Sequence, residues 1–314
     1  MSNLDKFEMH YYLADHSHQI DAVLRNRCET EILAIILEIS NALGFKIEIV
    51  SEVSKEGGFR DFWKIIQDNS ISITLVLMLA QTLITAAPLM LKSEKEELEK
   101  QLIRLQIEES QHNLESLKKE AKTNSQSPTT LKKAVSALSK NLKIIKRKSN
   151  FYELLANHNE ITQIGVNLLS SESILNPEET IVIREKFKDF ILSSNKLESK
   201  ETEATIEIIS PVLKEGNYKW KGVYNKQPIS FHMLDLKFKD SVILDNIAFQ
   251  HGTYITCILR TSRELDEIGD IKITGFAVTT VIEKIDASST NLTSQGREYR
   301  QAKKFIDGQG KLFT

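Results

Sequence analysis

Hydrophobic positions recur at intervals of three and four residues from Ile20 to Leu43. Ile20, Val23, Leu24, Cys28, Ile32, Ile35, Ile36, Ile39 and Leu43 form one stripe, while Arg25, Arg27, Glu29 and Glu31 fall largely on the other side. That pattern predicts an amphipathic helix, with Ser17 placed as its N-cap and Gly44 as its stop. Phe7 to Asp15 and Lys46 to Val53 read as strands, the second alternating Ile47, Ile49 and Val53 with polar residues. Residues 1–56 therefore read as a small N-terminal strand-helix-strand unit. Ile71 to Leu91 breaks the pattern, with 21 residues and no charge. At 1.5 Å per residue it would reach about 31 Å, close to the roughly 30 Å of a bilayer's hydrocarbon. This predicts a transmembrane helix, weakened by Ser72, Thr74, Gln81, Thr82, Thr85 and Pro88; a buried core helix that lacks charge is the alternative. Just upstream, EGGFRDFWKIIQDN reads as an amphipathic turn carrying an interfacial Trp63, so residues 57–92 form one membrane-directed segment.

Residues 93–200 read as a helical middle. Leu91, Leu98 and Leu105 stand seven apart without continuing the register, which implies helix association rather than a long coiled coil. TNSQSPTT, at 123–130, is linker-like, and helices are expected over Thr130–Arg147, Phe151–Leu169 and Glu178–Ser193. From residue 203 the pattern changes to five β-branched and aromatic runs, ATIEIISPVL, KWKGVYNKQPISFHML, DSVILDNIAF, GTYITCILRT and IKITGFAVTTVIEKI, separated by Gly, Asn or Asp. Residues 203–285 are expected to form a small β-barrel, OB-like or SH3-like, followed by a tail over 286–314. The fold class is thus α+β.

The 41 Lys plus Arg against 43 Asp plus Glu leave a net charge of -2, so any contact with nucleic acid or membrane must be local. From Lys122 to Tyr152 there are eight basic residues and no acidic one. Lys140, Lys143, Lys146, Arg147 and Lys148 then form either a positive arm for lipid headgroups or phosphates, or simply a solvated lysine-rich face. Cys28 and Cys257 make neither a disulfide framework nor a metal knuckle, which fits a reducing compartment. The N-terminal sixteen residues show no secretory pattern.

Asp15, His16, His18 and Asp21 are the densest group of possible ligands or acid-base residues, but their spacing matches no zinc pattern. Cys28 and Cys257 read as buried side chains rather than nucleophiles, and His232 and His251 lack an acidic partner at a diagnostic spacing. Gly57, Gly58, Gly308 and Gly310 make no phosphate loop. No cofactor and no enzymatic activity are expected. The ligand signal is the run Tyr218, Lys219, Trp220, Lys221 and Tyr224, which interleaves rings for base stacking with charges for phosphates. A core Trp220 flanked by exposed lysines explains the same letters.

In overall order, centred on EGGFRDFW and ISITLVLMLAQTLITAAPLML, the chain resembles the membrane ion-channel effectors of bacterial anti-phage defence, most nearly the Hailong type. The resemblance implies a ligand-gated, tetrameric homo-oligomer in the inner membrane that acts by abortive infection. It implies opening by a nucleotide or single-stranded DNA oligomer made by a partner nucleotidyltransferase. In the pore reading Ser72, Thr74, Gln81, Thr82 and Thr85 line a shared axis, and the basic arm favours a cytoplasmic C-terminal domain. The alternatives are a soluble oligomeric binding or scaffold protein with a buried central helix, and a phosphodiester-cleaving enzyme using Asp15 and His18.

Overall fold

Along Lys6–Leu13 (β1), Phe7, Met9, Tyr11 and Leu13 point into a core while Glu8, His10 and Tyr12 point the other way, as a period of two requires. β1 is the middle strand of an antiparallel sheet. Glu48–Glu52 (β2), Phe59–Ile66 (β3), Ile161–Leu169 (β4) and Thr180–Ile183 (β5) complete it in the order β2-β3-β1-β4-β5. The computed structural model describes residues 4–15, 19–52, 59–67, 70–86, 128–171, 179–214, 216–244, 247–287 and 289–310. It divides into two units, residues 1–195 with 265–270, and residues 196–264 with 271–314.

In the first unit Ala22–Leu43 (α1) buries most of the stripe read from the sequence, from Leu24 and Cys28 through Ile32, Ile35, Ile36 and Ile39 to Leu43, while Val23 at its start is exposed. Its N-cap is Asp21, whose side chain accepts from the Leu24 N–H at 2.8 Å, while the expected cap Ser17 lies outside the described residues. Gly44 ends the helix at φ +74°, the left-handed conformation that glycine takes without a Cβ penalty. Ser70–Thr85 (α2) overturns the transmembrane expectation. It has 16 residues, about 24 Å at 1.5 Å each, and Ile73, Leu75, Val76, Leu77, Leu79, Ala80, Leu83 and Ile84 are all buried. It packs against α1, Pro128–Leu138 (α3), β4 and β5. Among the described residues, no helix is long and apolar enough to cross a membrane. A helix covered by protein over most of its surface is largely apolar all round, as a membrane helix is.

Three other expectations change for related reasons. The segment read as an amphipathic turn is β3, in which Trp63 and Ile65 are buried and the Trp63 indole donates to Glu29 Oε1 at 3.0 Å. The helix expected over 151–169 divides into Leu142–Ala156 (α4) and β4, because ITQIGVNLL is recruited as β1's neighbour, with Met9 opposite Val166. The helix expected over 178–193 is β5 followed by a 3₁₀ turn, Arg184–Phe190. The 123–130 linker overlaps the start of α3, and Leu91, Leu98 and Leu105 lie outside the described residues.

The second unit contains a barrel, as expected, but its first strand begins at Lys196 rather than near 203, the run DSVILDNIAF read as a strand supplies Asp240–Leu244 of a helix, and the run from Lys219 to Leu234 forms two strands. Lys196–Ser210 (β6), Lys219–Tyr224 (β7), Gln227–Met233 (β8), Tyr254–Leu265 (β9) and Ile271–Asp286 (β10) pair in the order β10-β8-β7-β6-β9, and a further β9–β10 pairing closes the ring. β8 and β10 run parallel, and Leu236–Leu244 (α5) lies between the third and fourth strands. Five strands in the order 1-2-3-5-4-1 with that helix are the OB arrangement, not the SH3-like one. Ala204, Ile206, Ile208, Trp220, Phe231, Ile255, Cys257, Leu259 and Val278 fill the barrel, with Phe238 and Val242 of α5 over its end. At Gly222 a Cβ would stand 2.6 Å from the Glu207 carbonyl oxygen, so only glycine lets β7 approach β6 there. Ser289–Leu292 (β11) pairs with the end of β10, and Ser294–Gly310 (α6) follows.

Candidate functional site

The β7–β8 hairpin turns through Asn225 and Lys226, both at positive φ (+49° and +64°), the geometry that matches the twist of a two-residue hairpin. Register then sets the outer face. Lys219 stands opposite His232 and Lys221 opposite Ser230, and cross-strand partners share a face. Residues 216–234 contain Lys219, Lys221 and Lys226 and no Asp or Glu. Among the described residues these three lysines make no ion pair, whereas Arg260 pairs with Glu201 at 2.8 Å, Lys303 with Glu203 at 2.8 Å and Arg300 with Glu283 at 2.7 Å. Lys219 and Lys221 on β7 and Lys226 in the turn therefore put positive charge on the hairpin with no carboxylate of its own beside it. Tyr218, at the mouth of β7, is 53% exposed.

Trp220 is fully buried and packs on Phe231, Phe238 and Phe249, the last edge-on at 5.6 Å. Tyr224 is half-buried against the same core. Of the five residues singled out from the sequence, the structure thus puts Tyr218, Lys219 and Lys221 on the surface and sends Trp220 and Tyr224 inward.

Four of the five pore-lining candidates are spent on internal hydrogen bonds. Thr74 Oγ1 accepts from the Leu4 N–H at 3.1 Å, and Gln81 Nε2 donates to the Val166 carbonyl and to Thr180 Oγ1, each at 3.1 Å. Thr82 and Thr85 donate to carbonyls one turn back, Met78 and Gln81, and Ser72 is buried. Four of the five residues of the basic arm are similarly engaged. Lys143 pairs with Asp270 at 3.1 Å, Arg147 with Glu31 at 3.2 Å, and Lys146 donates to Asn195 Oδ1 at 3.0 Å. Lys148 donates to the Ala86 carbonyl at 2.8 Å with its ammonium 4.5 Å over the Phe190 ring, and burial pushes its pKa down to about 7.

His16 and His18 lie outside the described residues, and Asp21 is occupied as a helix cap. Among the described residues no group of three or more His, Cys, Asp or Glu side chains is placed to hold a metal. Burial pushes both thiols up to about 12. His232 is half-buried and His251 exposed.

One cluster has no counterpart in the sequence reading. On the sheet face opposite the core, buried Glu8 accepts from Arg60 at 2.7 Å and from Asn167 Nδ2 at 2.9 Å. Glu179 meets His10 Nδ1 at 3.3 Å, accepts from the Tyr12 hydroxyl, and lies so close over Gly165 that a Cβ there would stand 1.9 Å from its Oε1. Burial, and then the Arg60 charge, lowers the His10 pKa; burial and Glu179 raise that of Tyr12 to about 12. The alternation of β1 signalled its polar face, but the partners arrive from more than 50 and 150 residues away in sequence.

Comparison with known proteins finds no match to the chain among family models, curated proteins or solved structures. An OB arrangement hosts many functions, so the functional argument rests on the charge and exposure of the hairpin.

Proposed function

We propose that this protein is a ligand sensor whose C-terminal barrel binds a single-stranded oligonucleotide along the outer face of β7 and β8. The observation that carries the reading is the carboxylate-free β7–β8 hairpin of an OB-ordered barrel, with Lys219 and Lys221 on β7 and Lys226 in the turn, none of them in an ion pair among the described residues. That is the face such barrels offer to oligonucleotides. Lys219 and Lys221 project to one side, about 6.6 Å apart along the strand, as successive points of contact for a phosphate backbone. Exposed Tyr218 offers a ring for base stacking. The resemblance to anti-phage effectors implies the same ligand class, a single-stranded DNA oligomer from a nucleotidyltransferase, but its central segments fold as β3 and the core helix α2, so the hairpin alone carries the proposal. The inner-membrane pore is not part of the proposal, since it required the spanning helix that α2 replaces.

The test is fluorescence anisotropy of the full-length protein with a labelled oligo-dT at low and fourfold higher salt. Each neutralised phosphate on a single strand contributes a log–log salt slope of about -0.7, so three lysine contacts give about -2.1 and a fall in affinity of about 18-fold. The double variant Lys219→Gln/Lys221→Gln keeps one contact, and its affinity falls only about 2.6-fold over the same range. Absence of binding at low salt refutes the reading, and so does a double variant with the wild-type slope.

A further inference from the structure

At the α5 end of the barrel unit lies a cavity of about 560 Å³, bounded by α5, the 247–250 segment, the β10–β11 hairpin and the start of α6. We propose that it is a nucleobase pocket, taking one base of the strand that runs along β7 and β8; the proposal rests on that reading of the hairpin.

Its volume falls in the range of small-molecule sites, about 300 to 1,000 Å³, and is ample for a base with its sugar. Its charge favours a neutral group over a phosphate. The two ionic side chains in its wall, Lys284 and Asp286, are bonded to each other; Asp286 also accepts from Thr253 Oγ1 at 2.7 Å, and the Lys284 ammonium sits 5.3 Å over the Phe249 ring. The pair therefore presents little net charge to an occupant. The other polar groups suit a base edge. Gln250 and Asn291 are solvent-accessible amides in the wall, each offering a donor and an acceptor, the combination that reads Watson–Crick and Hoogsteen edges. Phe238, Ile247 and Leu292 supply apolar contact for the faces of a ring.

Position links the pocket to the hairpin. α5 contributes Phe238 and Ser241 to the cavity wall, while Lys239 on the same helix donates to the Gly216 carbonyl at 3.0 Å, two residues before Tyr218. One helix thus joins the cavity wall to the loop that leads into β7.

The experiment measures binding of labelled 12-nucleotide homopolymers of A, C, G and T to the full-length protein, to Ser241→Phe, which fills the cavity from a helix surface, and to Asn291→Ala, a change on an exposed edge strand. Wild-type protein is expected to rank the four bases over about tenfold. Both variants should compress that ranking to within about twofold while leaving the salt slope unaltered. If Ser241→Phe does not fold, Asn291→Ala decides. Variants that keep the wild-type ranking while Lys219→Gln/Lys221→Gln weakens binding overturn the pocket and leave the hairpin reading intact. If wild-type protein binds no oligomer, the hairpin reading fails and free nucleosides are titrated by saturation-transfer NMR. A nucleoside bound by wild type and lost in Ser241→Phe then upholds the pocket, and no bound nucleoside overturns it.

Discussion

Leu79 sits in the middle of α2 and is fully buried, so truncating it measures directly whether that helix is a core element. Leu79→Ala removes three carbons, worth about 2.4 kcal/mol of transfer free energy at roughly 0.8 kcal/mol each. A residual void of about 50 Å³ adds about 1.2 kcal/mol at 24 cal/mol per Å³, for a total near 3.6 kcal/mol. For a unit of this size that corresponds to a fall in Tm of about 7 to 14 °C. The chain has two tryptophans, Trp63 in the first unit and Trp220 in the second, both buried. Labelling with 5-fluorotryptophan gives each its own ¹⁹F resonance, and urea titration followed at Trp63 reports the stability of the unit that contains α2. Val23→Ala, at a position 61% exposed on α1, is the control and should stay within about 0.5 kcal/mol of wild type. A Leu79→Ala shift below about 1 kcal/mol would refute the placement of α2 in the core.

Two further outcomes follow from the same network of burial. His10 has a folded-state pKa below its ordinary 6.5, chiefly through burial, so the unfolded chain takes up this proton first as pH falls. The first unit should therefore lose stability from about pH 7 downward through 6.5 to the folded pKa, and Tm measured across that window should fall less steeply in His10→Gln; equal slopes would show that His10 does not contribute. Both cysteines, buried and with thiols held near 12, should resist an aromatic disulfide reagent at pH 8 in the native protein and react once it is unfolded in guanidinium. Rapid native labelling of either would contradict its burial.

How much of this was legible in advance differs from element to element. α1 was readable with its stripe and its Gly44 stop, because a period near 3.6 and a left-handed glycine are local properties. Most barrel strands were readable for the same reason, but the β-branched run DSVILDNIAF was not, since its first half belongs to α5; alternation along KWKGVY already held both outcomes for Trp220. Inward placement followed once Phe231, Phe238 and Phe249 closed around the ring, leaving Lys219 and Lys221 outside. The candidate site was thus half visible, as an unusual run of lysines and aromatics. Its lack of neutralising carboxylates depended on which strands became neighbours.

The buried face of α2, the strand character of residues 161–169 and the Glu8–Arg60–Asn167 and His10–Glu179–Tyr12 contacts belong to the tertiary structure alone. Periodicity reports how a segment's side chains are distributed around its own axis, and it is blind to what lies beyond them. An uncharged helix satisfies lipid and a protein core equally well, since both are apolar and both leave its backbone to bond with itself. Here α1, α3, β4 and β5 supply the surrounding apolar surface, and the Val166 carbonyl and Thr180 hydroxyl accept from the amide of Gln81 that lipid would have left without partners. The local chain determined that Ile71 to Leu91 must avoid water; only the fold decided that, over its described part, protein would take water's place.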